Sequence, residues 1–348
     1  MKDLRYLAAF SLPLSALLSI KILGYWSYFT VIYAFVLIPI FELLLPVIKT
    51  NLSEDEIEVK KNKKLFDALL LFNLPIIYGL VVYAVFTVTT KNLSTIEFVG
   101  LVLSVGIVLG TNGINVAHEL GHRKSLFMRV CAKLLLLPSF YMHFYIEHNF
   151  GHHAHAATPE DPATAKYNQT VYSFWLTSVT KQYYNAWRIQ RNLLKKANAR
   201  FFSIQHDMLW YTLLQIGYLV IAFAAFDVTG LYFALGTGIV GFLLLESVNY
   251  IEHYGLLRNI KPSGRYEPVK EIHSWNSNHL IGRIILYELT RHSDHHYRAS
   301  KKYQLLNYHE ISPQMPYGYP TSIVLSFFPP LWFKIMNKRI PKSMLPKQ

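Results

Sequence analysis

The sequence predicts an all-α integral membrane protein with six transmembrane helices, and three observations carry that expectation. Hydrophobic residues make up 52% of the 348 positions and charged residues only 16%, with a mean hydropathy of +0.22. Six runs approach or reach the roughly 20 apolar residues that a helix needs to cross a bilayer. Lysine and arginine are shared unevenly among the loops between them, which sets an orientation.

In chain order the runs cover residues 6–23, 27–48, 65–88, 96–117, 209–226 and 231–250. The first follows Lys2 and Arg5 as a signal peptide would. No small-residue cleavage site comes after it, and the next run begins almost at once, so it reads as a retained span. The loop after the second run holds Lys49, Lys60, Lys61, Lys63 and Lys64; the turns after the first and third hold Lys21 and Lys91, and the turn 227–230 has none. That asymmetry puts both termini in the cytoplasm. By length the chain could form two domains, but its apolar bulk argues for one membrane-embedded unit over 1–348.

The formal net charge of +13 suits an anionic membrane surface or an acidic protein partner, and so apolar a chain is not expected to bind nucleic acid. The single cysteine, Cys131, excludes an internal disulfide and a built-in four-cysteine metal module. Between the spans, 125–145 reads as a short buried or re-entrant helix and 158–162 as a turn. The stretch 173–200, mixing aromatics with lysine and arginine, reads as a helix along the headgroups, and 280–289 as a helix into the last histidine group. Residues 322–335, broken by Pro329 and Pro330, read as interfacial.

Four histidine groups fall at the ends of the fourth and sixth runs and in the segments after them. They are His118 and His122; His148, His152 and His153; His253; and His292, His295 and His296. On a helix, residues four apart share a face, so His118 with His122, His148 with His152, and His292 with His296 can each aim two imidazoles at one ion. Neutral imidazole is the commonest protein metal ligand. Nine exceed the four that a closed zinc site takes, so two metal ions are expected, on the cytoplasmic side. Glu119, Glu147, Asp161, Glu252 and Asp294 are the carboxylates able to accept the second ring N–H of a ligating histidine, and each equally reads as a helix-end charge without a role. Asn112 and Asn115, at bilayer depth, are expected to face the bundle interior. Ala34, Phe35, Leu37, Gly110 and Gly113 are candidates for the wall of an apolar tunnel, or simply packing residues.

The boxes His118-Glu-Leu-Gly-His122, Glu147-His-Asn-Phe-Gly-His-His153, Asn249-Tyr-Ile-Glu-His-Tyr-Gly255 and Arg291-His-Ser-Asp-His-His296 resemble those of the membrane alkane 1-monooxygenases, within the fatty acid desaturase superfamily. The stretches 157–163 and 273–279 match as well, so the resemblance covers nearly the whole chain. It implies a di-iron centre held by the nine histidines named above and hydroxylation of the terminal carbon of an alkane with O2. It also implies electrons from a separate rubredoxin, itself reduced by an NAD(P)H-dependent reductase, and a place in the bacterial inner (plasma) membrane. Phe150, His155 and Thr290 depart from the family pattern without removing a ligand. His143, His273 and His279 match family positions and are expected either to support the ligands from behind or to be structural, and His155, His206 and His309 to be solvated. A fatty acyl desaturase and a xylene-type alkyl-group monooxygenase are the neighbouring alternatives. A histidine-lined transporter would instead place its ligands at mid-membrane.

Overall fold

The computed structural model describes residues 2–345. It is helical throughout, and among the described residues extended pairing is limited to isolated bridges. In order, the principal elements are α1 (Asp3–Ile22), α2 (Gly24–Leu44), α3 (Glu54–Lys61), α4 (Lys64–Thr90), α5 (Thr95–Gly121), α6 (Leu126–Leu136) and α7 (144–155). They continue with α8 (Val171–Lys196), α9 (Asp207–His253), α10 (Leu280–Ile285), α11 (His292–Tyr297), α12 (Tyr319–Ser326) and α13 (Pro329–Met336). Five of these, α1, α2, α4, α5 and α9, are long and apolar enough to cross a membrane, and the chain is a membrane protein.

Element α9 is 47 residues long where the sequence predicted two runs, and Asp227 interrupts it with non-helical backbone (φ 57, ψ −169). The chain doubles back there. Tyr141 Oη donates to Glu246 Oε1 at 2.8 Å, while the next residue, Met142, donates its N–H to Gln215 Oε1 at 3.1 Å. A straight helix would hold residues 215 and 246 about 46 Å apart. Leu23 makes the same kind of turn (φ 62, ψ −159) between α1 and α2. Thr30 then meets Ser15 at 3.1 Å and Ser19 at 3.4 Å across that hairpin.

The best-buried long helix is α5. It packs closely on α9 because a Cβ at Gly106 would collide with Val240, and one at Gly110 would lie 3.0 Å from the Gly241 carbonyl; small residues let helix backbones approach in this way. Its asparagines face inward as expected. Asn112 donates to the Ala9 carbonyl and to Asn73, and Asn115 to the Leu286 carbonyl.

The connecting segments differ from their predicted lengths. The helix expected over 280–289 stops at Ile285, because Tyr287 and Glu288 take positive φ. The Glu288 carboxylate is drawn into a buried cluster with Arg283 at 2.6 Å, Arg5 at 3.1 Å and Tyr6 at 2.7 Å. In the segment 125–145 the first helix runs only from Leu126 to Leu136, followed by a single 3-10 turn that Phe140, in the left-handed region, ends before α7 begins at residue 144. The stretch 322–335 is two short helices, α12 and α13. Element α8 is capped by Thr170, whose hydroxyl accepts from Ser173 N–H, and buries one face of Phe174, Ser178, Gln182 and Asn185.

Candidate metal centre

Two spans end among the histidines. His118 lies in the last turn of α5 with His122 directly after it, and His253 is the final residue of α9. Short helices α7 and α11 bring the other six. All nine imidazoles converge, in two groups: His118, His122, His148, His153 and His295; and His152, His253, His292 and His296. Within each group the candidate donor atoms lie within 4.8 Å of one another.

The division corrects the pairing read from the sequence. His118 stays with His122, and His292 with His296, but His148 and His152 part company. The cause is a π-helical turn over His148–His152. A wider turn puts residues five apart on one face, so His148 aligns with His153 instead. The adjacent pairs His152-His153 and His295-His296 each straddle the two groups, since neighbours on a helix point about 100° apart.

Close contacts within the groups favour ions between the rings. The Nε2 atoms of His122, His148 and His153 form a triangle with edges of 3.1, 3.0 and 3.3 Å. Donors and acceptors cannot alternate around three members, so ring protons alone leave at least one contact with lone pairs or protons opposed. In the second group His152 and His296 approach to 3.1 Å, His296 and His292 to 2.9 Å, and His253 and His292 to 3.1 Å. Both nitrogens of His118 and Nε2 of His295 are buried without a hydrogen-bond partner. Burial first, and then neighbouring imidazoles, hold His148, His153, His292, His295 and His296 well below the usual histidine range, which keeps them neutral. This donor set is suited to binding metal.

Asp161 fixes one ring. Its Oδ2 lies 2.9 Å from His152 Nδ1 and accepts from the Thr164 hydroxyl at 2.6 Å, while Ala163 N–H donates to Oδ1 at 3.1 Å. Burial pushes this carboxyl up, but His152 and Thr164 more than offset it and hold it below the usual carboxylate range. The ionised carboxylate accepts a hydrogen bond from Nδ1–H, leaving His152 Nε2 unprotonated to face its group.

A profile of the fatty acid desaturase family matches residues 94–325. Alkane 1-monooxygenase 2 of Alcanivorax borkumensis is 33% identical over 348 residues, 98% of this chain and 91% of the relative. Alkane 1-monooxygenase 1 of Pseudomonas aeruginosa is 37% identical over 320 residues, 91% of this chain and 84% of the relative. The chain belongs to the alkane 1-monooxygenase family. The hydroxylase component of a xylene/toluene monooxygenase from Pseudomonas putida is more distant, at 27% identity over 269 residues, 75% of this chain and 69% of the relative.

Of the five carboxylates singled out in this family member, only Asp161 meets the second nitrogen of a clustered histidine. Glu119 is taken by Arg123 at 2.8 Å and Tyr303 N–H at 3.1 Å, Glu147 by Asn185 at 3.1 Å, and Asp294 by Lys301 at 2.6 Å and His309 at 2.8 Å. Glu252 faces the site by another edge, with Oε2 3.2 Å from His292 Nε2, the nitrogen that also faces His253 and His296. Its Oε1 accepts from Tyr319 Oη at 2.7 Å, a partner 67 residues away that no local signal marked. His143, His273 and His279 stay outside both groups. His206, expected to be solvated, is instead fully buried and caps α9 by accepting from Leu209 N–H, while His309 is partly exposed and holds Asp294.

A narrow apolar cavity lies in the bundle beside this site, and none of the nine histidines is in its wall. Leu12, Ala34, Phe35, Ile38, Ile107 and Gly110 are part of its wall, and Asn115, Leu289 and Tyr319 bring it to the histidine level. Leu37 and Gly113, also tunnel candidates, are not in the wall. Asp161→Asn should weaken metal retention by roughly 10- to 100-fold, as loss of such a partner typically does. Competition with a chelator measures it, and unchanged retention would reduce Asp161 to a loop brace.

Proposed function

We propose that the chain is a non-haem di-iron monooxygenase that hydroxylates the terminal carbon of alkanes with O2, using electrons from a separate rubredoxin reduced by an NAD(P)H-dependent reductase. The observation that carries this reading is the convergence of nine imidazoles beside an apolar cavity whose wall includes Asn115, Leu289 and Tyr319, the last bonded to Glu252. Five donors in one group exceed what a closed zinc site takes, and the reaction needs a redox metal, which zinc is not. The reversal at Asp227 supports counting α9 as two spans, hence six. With the lysine bias after α2, that count supports termini and metal site on the cytoplasmic face of the bacterial inner membrane, in one membrane-embedded domain.

An unactivated C–H bond offers no charge for an acid or base to act on. When bound, the irons would supply the oxidant made from O2, for the balance R–CH3 + O2 + 2 e⁻ + 2 H⁺ → R–CH2OH + H2O. The chain's own residues do the rest. The cavity wall orients the alkane end and excludes water, Asp161 fixes His152, and Tyr319 fixes Glu252 beside His292. With a single cysteine the chain cannot carry its own four-cysteine donor, and its net charge of +13 suits an acidic one.

The test is to purify the protein, measure its metal, and supply alkanes from octane to hexadecane with a rubredoxin and its reductase. Two irons per chain and a 1-alkanol are expected. Iron present, no alcohol from any alkane, and dehydrogenation of a stearoyl substrate would replace this reading with a desaturase.

A further inference from the structure

Helix α2 carries a charge for which the proposed reaction has no use. Glu42 lies within this membrane-length helix, is 5% exposed, and neither of its carboxylate oxygens makes a well-formed hydrogen bond among the described residues, the Gly282 N–H being the backbone donor closest to serving it. An ionisable group inside a spanning segment is costly and usually marks a functional site.

Its place suggests what it serves. Ile38, one helical turn earlier on the same face, lines the apolar cavity. The Glu42 carboxylate lies against two glycines, Gly282 and Gly318. Gly282 belongs to the cavity wall, as does Tyr319 beside Gly318. A Cβ on Gly282 would stand 2.7 Å from Oε1, and one on Gly318 would overlap the carboxylate, so the absence of both side chains is what makes room for the carboxylate itself. The polar groups of the wall itself are already engaged: Thr111 donates to the Ile107 carbonyl, Asn115 to the Leu286 carbonyl and Tyr319 to Glu252. Beside this cavity, behind Gly282, the Glu42 carboxylate and the Thr290 hydroxyl are the groups left wanting a partner.

We infer that Glu42 is a hydrogen-bonding subsite for the hydroxyl of a primary alcohol, the product class of the proposed reaction, on which this inference rests. A hydroxyl both donates and accepts, so it completes the carboxyl in either protonation state, whereas a methyl end does neither. The subsite therefore separates alkanol from alkane within one apolar channel.

The experiment uses the purified full-length protein in nanodiscs, without electrons or turnover. Dicyclohexylcarbodiimide modifies carboxyl groups in apolar surroundings, and peptide mass spectrometry follows its addition to Glu42. With 1-dodecanol at ten times its Kd, labelling of Glu42 is expected to slow about tenfold, and n-dodecane is expected to change it less than about twofold. Independently, saturation-transfer NMR should show Glu42→Leu losing about tenfold in alcohol affinity with dodecane binding unchanged, and Glu42→Gln retaining part of it. Equal protection by alkane and alcohol, no protection by alcohol, or wild-type alcohol binding in Glu42→Leu would each overturn the assignment. Because nothing here depends on catalysis, a failure to make alcohol from alkane sinks the proposed function and leaves this binding site to be judged separately.

Discussion

His253→Ala is expected to lower the metal content from two ions per chain to about one and to reduce turnover by roughly 100-fold or more. Loss of a partner behind a ligand already costs 10- to 100-fold, and here the ligand itself goes. His253 is wholly buried, and its Nε2 sits 3.1 Å from that of His292 in a group of only four donors. The other group keeps its five. The fold should survive, because backbone bonds anchor the end of α9 on both sides: Trp275 N–H donates to the Glu252 carbonyl at 2.8 Å and Gly255 N–H to the Ala165 carbonyl at 2.9 Å. Metal analysis and product assay are run on the same preparation, with helicity measured as a control. Near-normal turnover with two ions bound would remove His253 from the site.

Ala34→Phe is expected to shorten the range of alkanes accepted. Ala34 is buried in the cavity wall, ten residues or about 15 Å before the end of α2 that packs towards the site. A ring there should block the far part of the cavity and leave the near part open. Hexadecane hydroxylation should fall roughly 10- to 100-fold while octane changes less than about threefold. Gly110 is a poorer place for the same test, since any side chain there meets Leu244 and the Gly241 carbonyl and would disturb helix packing. If octane and hexadecane fall together and the melting temperature drops, the substitution has overpacked the bundle and the cavity is not the substrate path.

The histidine boxes and most of the apolar runs were readable because each is a local pattern. Spacing along a helix and a run of apolar residues both survive without knowledge of the rest of the chain. Asp161 was readable for the same reason, lying nine residues from His152 in a turn marked by two prolines. Glu252 shows the limit. Its position beside His253 flagged it, but the sequence assigned it to a second ring nitrogen, and the structure turns it towards Nε2 of His292. The glycine niche around Glu42 left no trace, since Gly282 and Gly318 lie 240 and 276 positions after Glu42.

By itself the sequence determined that the chain is helical and apolar enough for a membrane, that it belongs among the alkane 1-monooxygenases, and which nine histidines to watch. Only the tertiary structure decided how those nine divide, which carboxylate holds which ring, and where an apolar cavity lies beside them. The reason is physical. Helical periodicity predicts faces only while the helix stays regular, and one wide turn at His148–His152 is enough to send neighbouring imidazoles to different groups.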